Sequence, residues 1–218
     1  MKGLLIKDFK LLFGQKRFFI AVCFFGLFFI IMNENPISGM SYVTMLFSIF
    51  TLSTISYDEY DNGMLFLMTL PINRKLYVGE KYAFAGIITL ASAVVSSVIA
   101  FGAAKVMDVS IDIKELLVAG AVVMAFAGLM LAFTIPIELK FGAEKGRVAM
   151  ILVMGVLFGS GLLLVKGGAY LGTDITEIFT KIMVMDEKIL AGVAFIIWSI
   201  LIFASYMVCV NIVKKKEF

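Results

Sequence analysis

The side chains that usually perform catalysis are either absent from this chain or have no catalytic partner beside them. Histidine does not occur in the 218 residues, which removes Ser-His and Cys-His nucleophile pairs and the commonest metal ligand. Cys23 and Cys209 lie in apolar runs, where a thiol behaves as a small hydrophobic group. The hydroxyl groups within the apolar stretches have no base next to them; they include Ser96, Ser97, Thr44 and Thr51. We therefore predict a non-catalytic protein with no metal site.

Nucleotide chemistry is also missing from the chain. Residues 142–147, Gly-Ala-Glu-Lys-Gly-Arg, combine glycine with lysine in the way a phosphate-binding loop does. They lack the spacing G-x-x-x-x-G-K-[ST] that places backbone N–H groups and a lysine around phosphates, and this motif occurs nowhere in the sequence. The chain is therefore not expected to bind ATP in the P-loop manner.

The composition predicts an all-α integral membrane protein. Hydrophobic residues make up 61% of the chain and charged residues 16%, with a mean hydropathy of +1.03, whereas soluble domains average about 45–50% apolar and about 25% charged residues. A membrane-spanning helix needs about 20 mostly apolar residues. Six stretches qualify and form a single transmembrane domain over 1–218: 18–32, 39–56, 82–104, 116–137, 148–165 and 189–213.

The distribution of basic residues predicts that both termini are cytoplasmic. With the N-terminus inside, 14 of the 19 lysines and arginines fall in the inner segments, where short basic loops are retained. A cleaved signal peptide is the alternative, although the first span ends in Asn33-Glu34-Asn35-Pro36 without a small-residue cleavage pattern. No Asp, Glu, Lys or Arg lies near the centre of a predicted span, which argues against ion-coupled transporters and proton pumps.

The N-terminal segment, residues 1–17, predicts an amphipathic helix on the inner membrane surface. Lys7, Asp8 and Lys10 lie away from its apolar face. That face consists of Leu5, Ile6, Phe9, Leu12 and Phe13. The alternative is a basic tail whose periodicity is incidental.

The inner segment 57–81 contains a short apolar run between an acidic cluster and a proline. Asp58, Glu59 and Asp61 precede Gly63, residues 64–70 are apolar apart from one threonine, and Pro71 ends the run. This run is too short to span a membrane and too apolar to be left in the cytosol, so it predicts a docking helix, with the acidic cluster facing a basic rim on the partner. The alternative is that it packs beneath the chain's own helices.

The outer segment 166–188 predicts a second amphipathic helix. Asp174 and Glu177 have the spacing of a capping box. The apolar positions at helical spacing are Ile175, Ile178, Phe179, Ile182 and Met183. A loop helix with only a packing role is the alternative.

Two segments resemble the exporter-type (type 2) permease subunits of ATP-binding-cassette transporters. They are Met1-Lys2-Gly3-Leu4-Leu5-Ile6-Lys7-Asp8-Phe9 and Tyr57-Asp58-Glu59 with Thr69-Leu70-Pro71-Ile72-Asn73-Arg74 and Gly79-Glu80-Lys81-Tyr82. They are similar to a small bacterial branch linked to peptide export or immunity, which includes the phenol-soluble modulin exporter permeases. The resemblance implies that the run in 57–81 is a coupling helix docked on a separate ATPase subunit, which binds ATP and Mg.

Carried over by position, the resemblance assigns coupling roles to eight residues. Glu59 and Gly63 would lead into the helix, its buried face would be Met64, Leu65, Leu67 and Met68, and Pro71 and Arg74 would end it. The resemblance also implies a second copy or a homologous permease subunit, a bacterial plasma membrane, no nucleic-acid partner, and export of an amphipathic peptide. The competing hypothesis is an ATP-independent membrane conduit or a peptide-immunity protein that acts by binding alone.

Overall fold

The protein is a bundle of long α-helices. The computed structural model describes residues 1–60, 63–170 and 187–216, and within these residues it contains helices and no strands. The all-α prediction is therefore confirmed. The helices are α1 (Lys2–Gly14), α2 (Lys16–Asn33), α3 (Pro36–Glu59), α4 (Gly63–Thr69), α5 (Arg74–Val106), α6 (Ile113–Tyr170) and α7 (Glu187–Lys215).

Five segments of the described chain are long and apolar enough to cross a membrane. They are Lys16–Asn33, Pro36–Glu59, Arg74–Val106, Ile113–Gly142 and Ala191–Lys215. They contain four of the six predicted spans and overlap all but the first two residues of a fifth, 189–213. The remaining predicted span, 148–165, is helical and lies in the second part of α6. It is not among these five segments, so the count of six spans stays a prediction. The predicted outer helix falls largely on residues 171–186 and lies outside the described residues.

Local sequence signals set the helix boundaries. The Asn35 side chain accepts a hydrogen bond from the N–H of Ile37, and Pro36 occupies the first turn of α3, where its missing N–H costs nothing. Asn73 caps α5 in the same way by accepting from the N–H of Lys75. Within α6 the helix breaks at Gly142, whose φ of 74° is readily available only to glycine. This break falls between the fourth and fifth predicted spans.

The N-terminal helix, α4 and the end of α7 meet at one end of the bundle, which we call the basal end. Lys7 contacts Asp58, and Lys216 contacts Glu59, so both terminal segments lie beside the last turn of α3. A buried apolar cluster, the basal core, joins six helices there. Its members include Leu4 of α1, Ile55 of α3, Met64 and Leu67 of α4, Tyr77 and Val78 of α5, Leu139 of α6 and Val213 of α7.

Candidate functional site

One face of the short helix α4 is part of the chain's own core. Met64 and Leu67 are only 4% and 8% exposed, and Met68 packs against the same basal core. Gly63 begins the helix where a Cβ atom would lie 2.9 Å from the carbonyl oxygen of Asp58, so the close backbone approach requires glycine. The helix is therefore anchored through three of the side chains that the sequence assigned to its docking face.

The opposite face of α4 is apolar and uncovered. Leu65, Phe66 and Leu70 are 43%, 67% and 40% exposed. Thr69 lies among them, and its hydroxyl donates to the carbonyl oxygen of Phe66 at 2.7 Å, which leaves little polarity on the surface. We call these four residues the exposed α4 face. Phe66 and Leu70 were not in the predicted docking set, because a seven-residue apolar run does not reveal which side packs inward.

Both flanks of α4 are fastened to the last turn of α7. Before the helix, Glu59 Oε1 lies 2.6 Å from Lys216 Nζ. After it, Arg74 Nη1 donates to the carbonyl oxygens of Val213 at 3.2 Å and Lys214 at 2.5 Å. Cationic side chains satisfy the unpaired carbonyls at a helix C-terminus and complement its dipole. Glu59 and Arg74 thus make contacts within this chain, and Pro71 is exposed just beyond α4.

A buried ion cluster holds the N-terminal helix against α3 and α5. Lys81 Nζ lies 2.5 Å from Asp8 Oδ2 and 2.8 Å from Asp58 Oδ2, and all three side chains are almost completely buried. Lys7 also pairs with both carboxylates, and the Tyr77 hydroxyl donates to Asp58 at 3.1 Å. Opposite charges at these distances compensate one another's loss of hydration. The cluster fixes the N-terminal helix to the two helices that enter and leave the α4 segment.

A further carboxylate, Glu80, is fully buried beside this cluster. Its Oε2 atom lies 3.8 Å from Lys81 Nζ. With Glu80 included, two lysines face three carboxylates inside the basal end. The protein therefore holds charge in its interior close to α4, although the middles of the predicted spans are free of it.

Two members of the predicted acidic cluster make ion pairs within this chain, and a contact of the cluster with a partner stays a prediction. Asp58 is buried against Lys7 and Lys81, and Glu59 pairs with Lys216, while Asp61 lies outside the described residues. Asp8, which the sequence placed away from the apolar face of the N-terminal helix, is fully buried in the ion cluster, and this burial was not predicted. The signal that was missed is that Asp8 lies one turn after Leu4, which is also buried.

The predicted apolar face of the N-terminal helix is divided between two environments. Leu5, Phe9 and Leu12 pack against an aromatic cluster that contains Phe19 and Phe84. Ile6 and Phe13 are exposed on the outside of the helix. The helix is thus packed on one side and offers apolar groups to its surroundings on another, as a helix at a membrane surface does.

Comparison with models of protein families gives a match to this chain. A sequence model of the family described as "ABC-2 family transporter protein" matches residues 3–214, nearly the whole chain. No curated protein and no solved structure matches the chain significantly.

Proposed function

The chain belongs to the ABC-2 transporter family, and we propose that it is the permease subunit of an exporter in which α4 docks on a separate ATP-hydrolysing subunit. Members of this family are multi-pass membrane proteins that generally work with an ATPase subunit.

The exposed α4 face is the observation on which this proposal rests. It places Leu65 and Phe66 on a helix that is too short to cross a membrane, with Leu70 directly after the helix, at the end of the bundle where both terminal segments lie. Burying a leucine or phenylalanine side chain stabilises a complex by about 1.5–3 kcal/mol. Because Asp58 and Glu59 are engaged within the chain, apolar burial rather than charge pairing supplies most of the docking energy.

The packing of α4 against the basal core suits the transmission of force. Met64 and Leu67 are embedded in a core shared with α3, α5 and α7, and Arg74 ties the end of the segment to α7. A push on α4 is therefore passed to these helices as one rigid body, and interfaces between such bodies switch between discrete packings. ATP and Mg are bound by the partner ATPase.

We place both termini on the cytoplasmic side of a bacterial plasma membrane, since most basic residues lie in the segments at that side. Two copies, or one copy and a homologous subunit, form the translocation path between them. The predicted spans are apolar and free of charge in their central parts, which suits a substrate with a large apolar face better than an ion or a sugar. An amphipathic peptide is the substrate that we propose.

Recovery of the ATPase with tagged permease tests the docking surface. The expected partner is a soluble chain that carries the Walker A motif. Phe66→Glu places a charge on the exposed α4 face and should weaken the complex by about 2 kcal/mol or more, which is on the order of 30-fold. Phe66→Leu keeps the surface apolar and is the matched control. Both variants should elute as the wild type does in gel filtration, because Phe66 is not part of the core.

The same preparation distinguishes the docking proposal from the competing hypothesis. If the wild-type permease yields no Walker A protein, or if Phe66→Glu retains it fully, α4 is not the ATPase dock and an ATP-independent conduit or immunity protein is favoured. Leu67→Glu does not serve this purpose, since Leu67 is buried and its replacement would disturb the fold itself. Stimulation of ATP hydrolysis by an amphipathic peptide, and not by a scrambled polar peptide, tests the substrate class.

A further inference from the structure

A large apolar groove lies between α5, α6 and α7, away from α4. Its volume is about 750 Å³, and it is lined by positions within residues 79–90 of α5, 124–135 of α6 and 198–206 of α7. Small residues form part of its wall. Gly86 has no atom within 4 Å of the position that a Cβ atom would occupy, so the groove is open at this point. Leu90 and Phe203 line the groove and are exposed, so it opens to the outer surface of the bundle.

The depth of the groove matches one leaflet of a bilayer. Eleven residue steps along α5, from Gly79 to Leu90, correspond to about 16 Å at about 1.5 Å per residue. Half of a hydrocarbon core of about 30 Å is about 15 Å. On α5 the groove starts five residues after Arg74, so with the basal end at the membrane surface it would reach to about the middle of the membrane. An extended hydrocarbon chain has the polarity and the length to fill it.

Two exposed lysines lie at the basal end of the bundle, beyond the end of the groove. Arg74 Nη1 contacts the carbonyl oxygens of Val213 and Lys214, which brings the first turn of α5 beside the last turn of α7. Deeper in the bundle, a Cβ atom at Gly79 would lie 4.0 Å from Tyr206 Cε2, so α5 and α7 remain neighbours there. Lys75 precedes Gly79 by four residues on the same face of α5, and both Lys75 and Lys214 are exposed. Two lysines at this depth attract an anionic headgroup.

We propose that the α5–α6–α7 groove binds one acyl chain of an anionic phospholipid, with the headgroup held at Lys75 and Lys214. The apolar wall and the one-leaflet depth favour an acyl chain, and the lysines favour an anionic headgroup. The site is separate from the exposed α4 face and does not depend on docking of an ATPase. A permease built in this way would be sensitive to the anionic lipid content of its membrane.

Fluorescence of Trp198 reports directly on this groove. Trp198 is the single tryptophan of the chain and lines the groove. Lipids with brominated acyl chains quench tryptophan on contact. The full chain is reconstituted in phosphatidylcholine vesicles that contain equal mole fractions of either brominated phosphatidylglycerol or brominated phosphatidylcholine. We expect stronger quenching by the anionic lipid, with a preference on the order of fivefold for each lysine that the headgroup contacts.

Two variants locate the bound lipid. Lys75→Gln combined with Lys214→Gln should remove the headgroup preference, whereas Gly86→Leu should fill the groove and reduce quenching by both lipids. Gly102→Leu is the matched control, because Gly102 is also open, lies on the same helix and does not line the groove. It should leave quenching unchanged.

Three results would overturn the proposal. The first is equal quenching by the two headgroups in the wild type, and the second is quenching that Gly86→Leu leaves unchanged. The third is relief of quenching by an amphipathic peptide in the wild type but not in Gly86→Leu, which would make the groove a substrate site. None of these readouts requires ATP hydrolysis, so failure here is distinguishable from failure of the docking proposal.

Discussion

Lys216 Nζ lies 2.6 Å from Glu59 Oε1 and joins the end of α7 to the last residue of α3. Arg74 contacts the carbonyl oxygens of Val213 and Lys214 from the other side of α4. The α4 segment therefore begins and ends against the same turn of α7. Any displacement of α4 must either carry the end of α7 with it or break these contacts.

Reversal of one charge in this pair should weaken the attachment. Lys216→Glu replaces the attraction to Glu59 by repulsion and should lower the free energy of unfolding by about 1 kcal/mol, since both side chains are only partly exposed. The exchanged pair Glu59→Lys with Lys216→Glu should recover most of this loss, as a double-mutant cycle would show. Denaturant titration in mixed micelles measures the change. Lys215→Glu is the matched control, and an equal effect there would attribute the loss to net charge.

Removal of the buried Lys81 ammonium group should lower the free energy of unfolding far more. Lys81→Met leaves Asp8 and Asp58 without their shared partner in the interior, and breaking a buried ion pair from one side costs about 3–5 kcal/mol. Lys75→Met, on the exposed part of the same helix, should change stability by less than about 0.5 kcal/mol. Thermal denaturation of the two variants in detergent separates these outcomes. Similar midpoints for both would mean that the cluster contributes little to stability.

The close crossing of α2 and α3 gives a test of packing. A Cβ atom at Gly39 would lie 2.2 Å from Ile30 Cγ1 and 2.7 Å from the backbone oxygen of Gly26, which cannot move aside as a side chain can. Gly39→Ala should therefore destabilise the protein by about 1–3 kcal/mol. Gly102→Ala, at an open helical position, should be neutral or slightly stabilising, since alanine has the higher helix propensity. A stable Gly39→Ala protein would show that the two helices separate easily.

The α4 segment illustrates what a single sequence can predict. Its boundaries follow from Gly63 and Pro71, and its tendency to bury apolar area follows from composition alone. Which face of the helix packs inward does not follow from the sequence, because nearly every position of a seven-residue apolar run could lie on either side. The three-dimensional packing places Met64 and Leu67 inward, as the alternative of packing beneath the chain's own helices expected, and it places Phe66 outward. Docking of the outward face on a partner stays a prediction.

The buried charges were harder to predict for a related reason. Asp8, Asp58 and Lys81 are distant in the chain, and each looks like an ordinary surface charge in its own segment. Only the approach of three helices makes them compensate one another. The helices themselves were predictable, because long apolar runs bounded by charges leave few alternatives in a membrane.

The seam between α6 and α7 supports a last prediction. Trp198 Nε1 donates to the carbonyl oxygen of Ala125 at 2.8 Å, and the Ser205 hydroxyl donates to that of Ala132, seven residues further along both helices. Ser205 also lies 2.5 Å from the Tyr82 hydroxyl, so it connects α5, α6 and α7.

Ser205→Ala should remove the hydrogen bonds of Ser205 to Ala132 and to Tyr82. Hydrogen bonds between membrane helices average about 0.6 kcal/mol and reach about 1.7 kcal/mol, so the loss should fall in this range. Ser199→Ala is the matched control six residues earlier on the same helix, because the Ser199 hydroxyl donates at 2.8 Å to the carbonyl oxygen of Phe195 and, within the described residues, has no hydrogen bond to a second helix. Denaturant titration in mixed micelles should therefore resolve a loss in the first variant and little or none in the second. Equal stabilities would mean that close packing at Gly128 and Trp198, rather than the polar contacts, holds α7 in place.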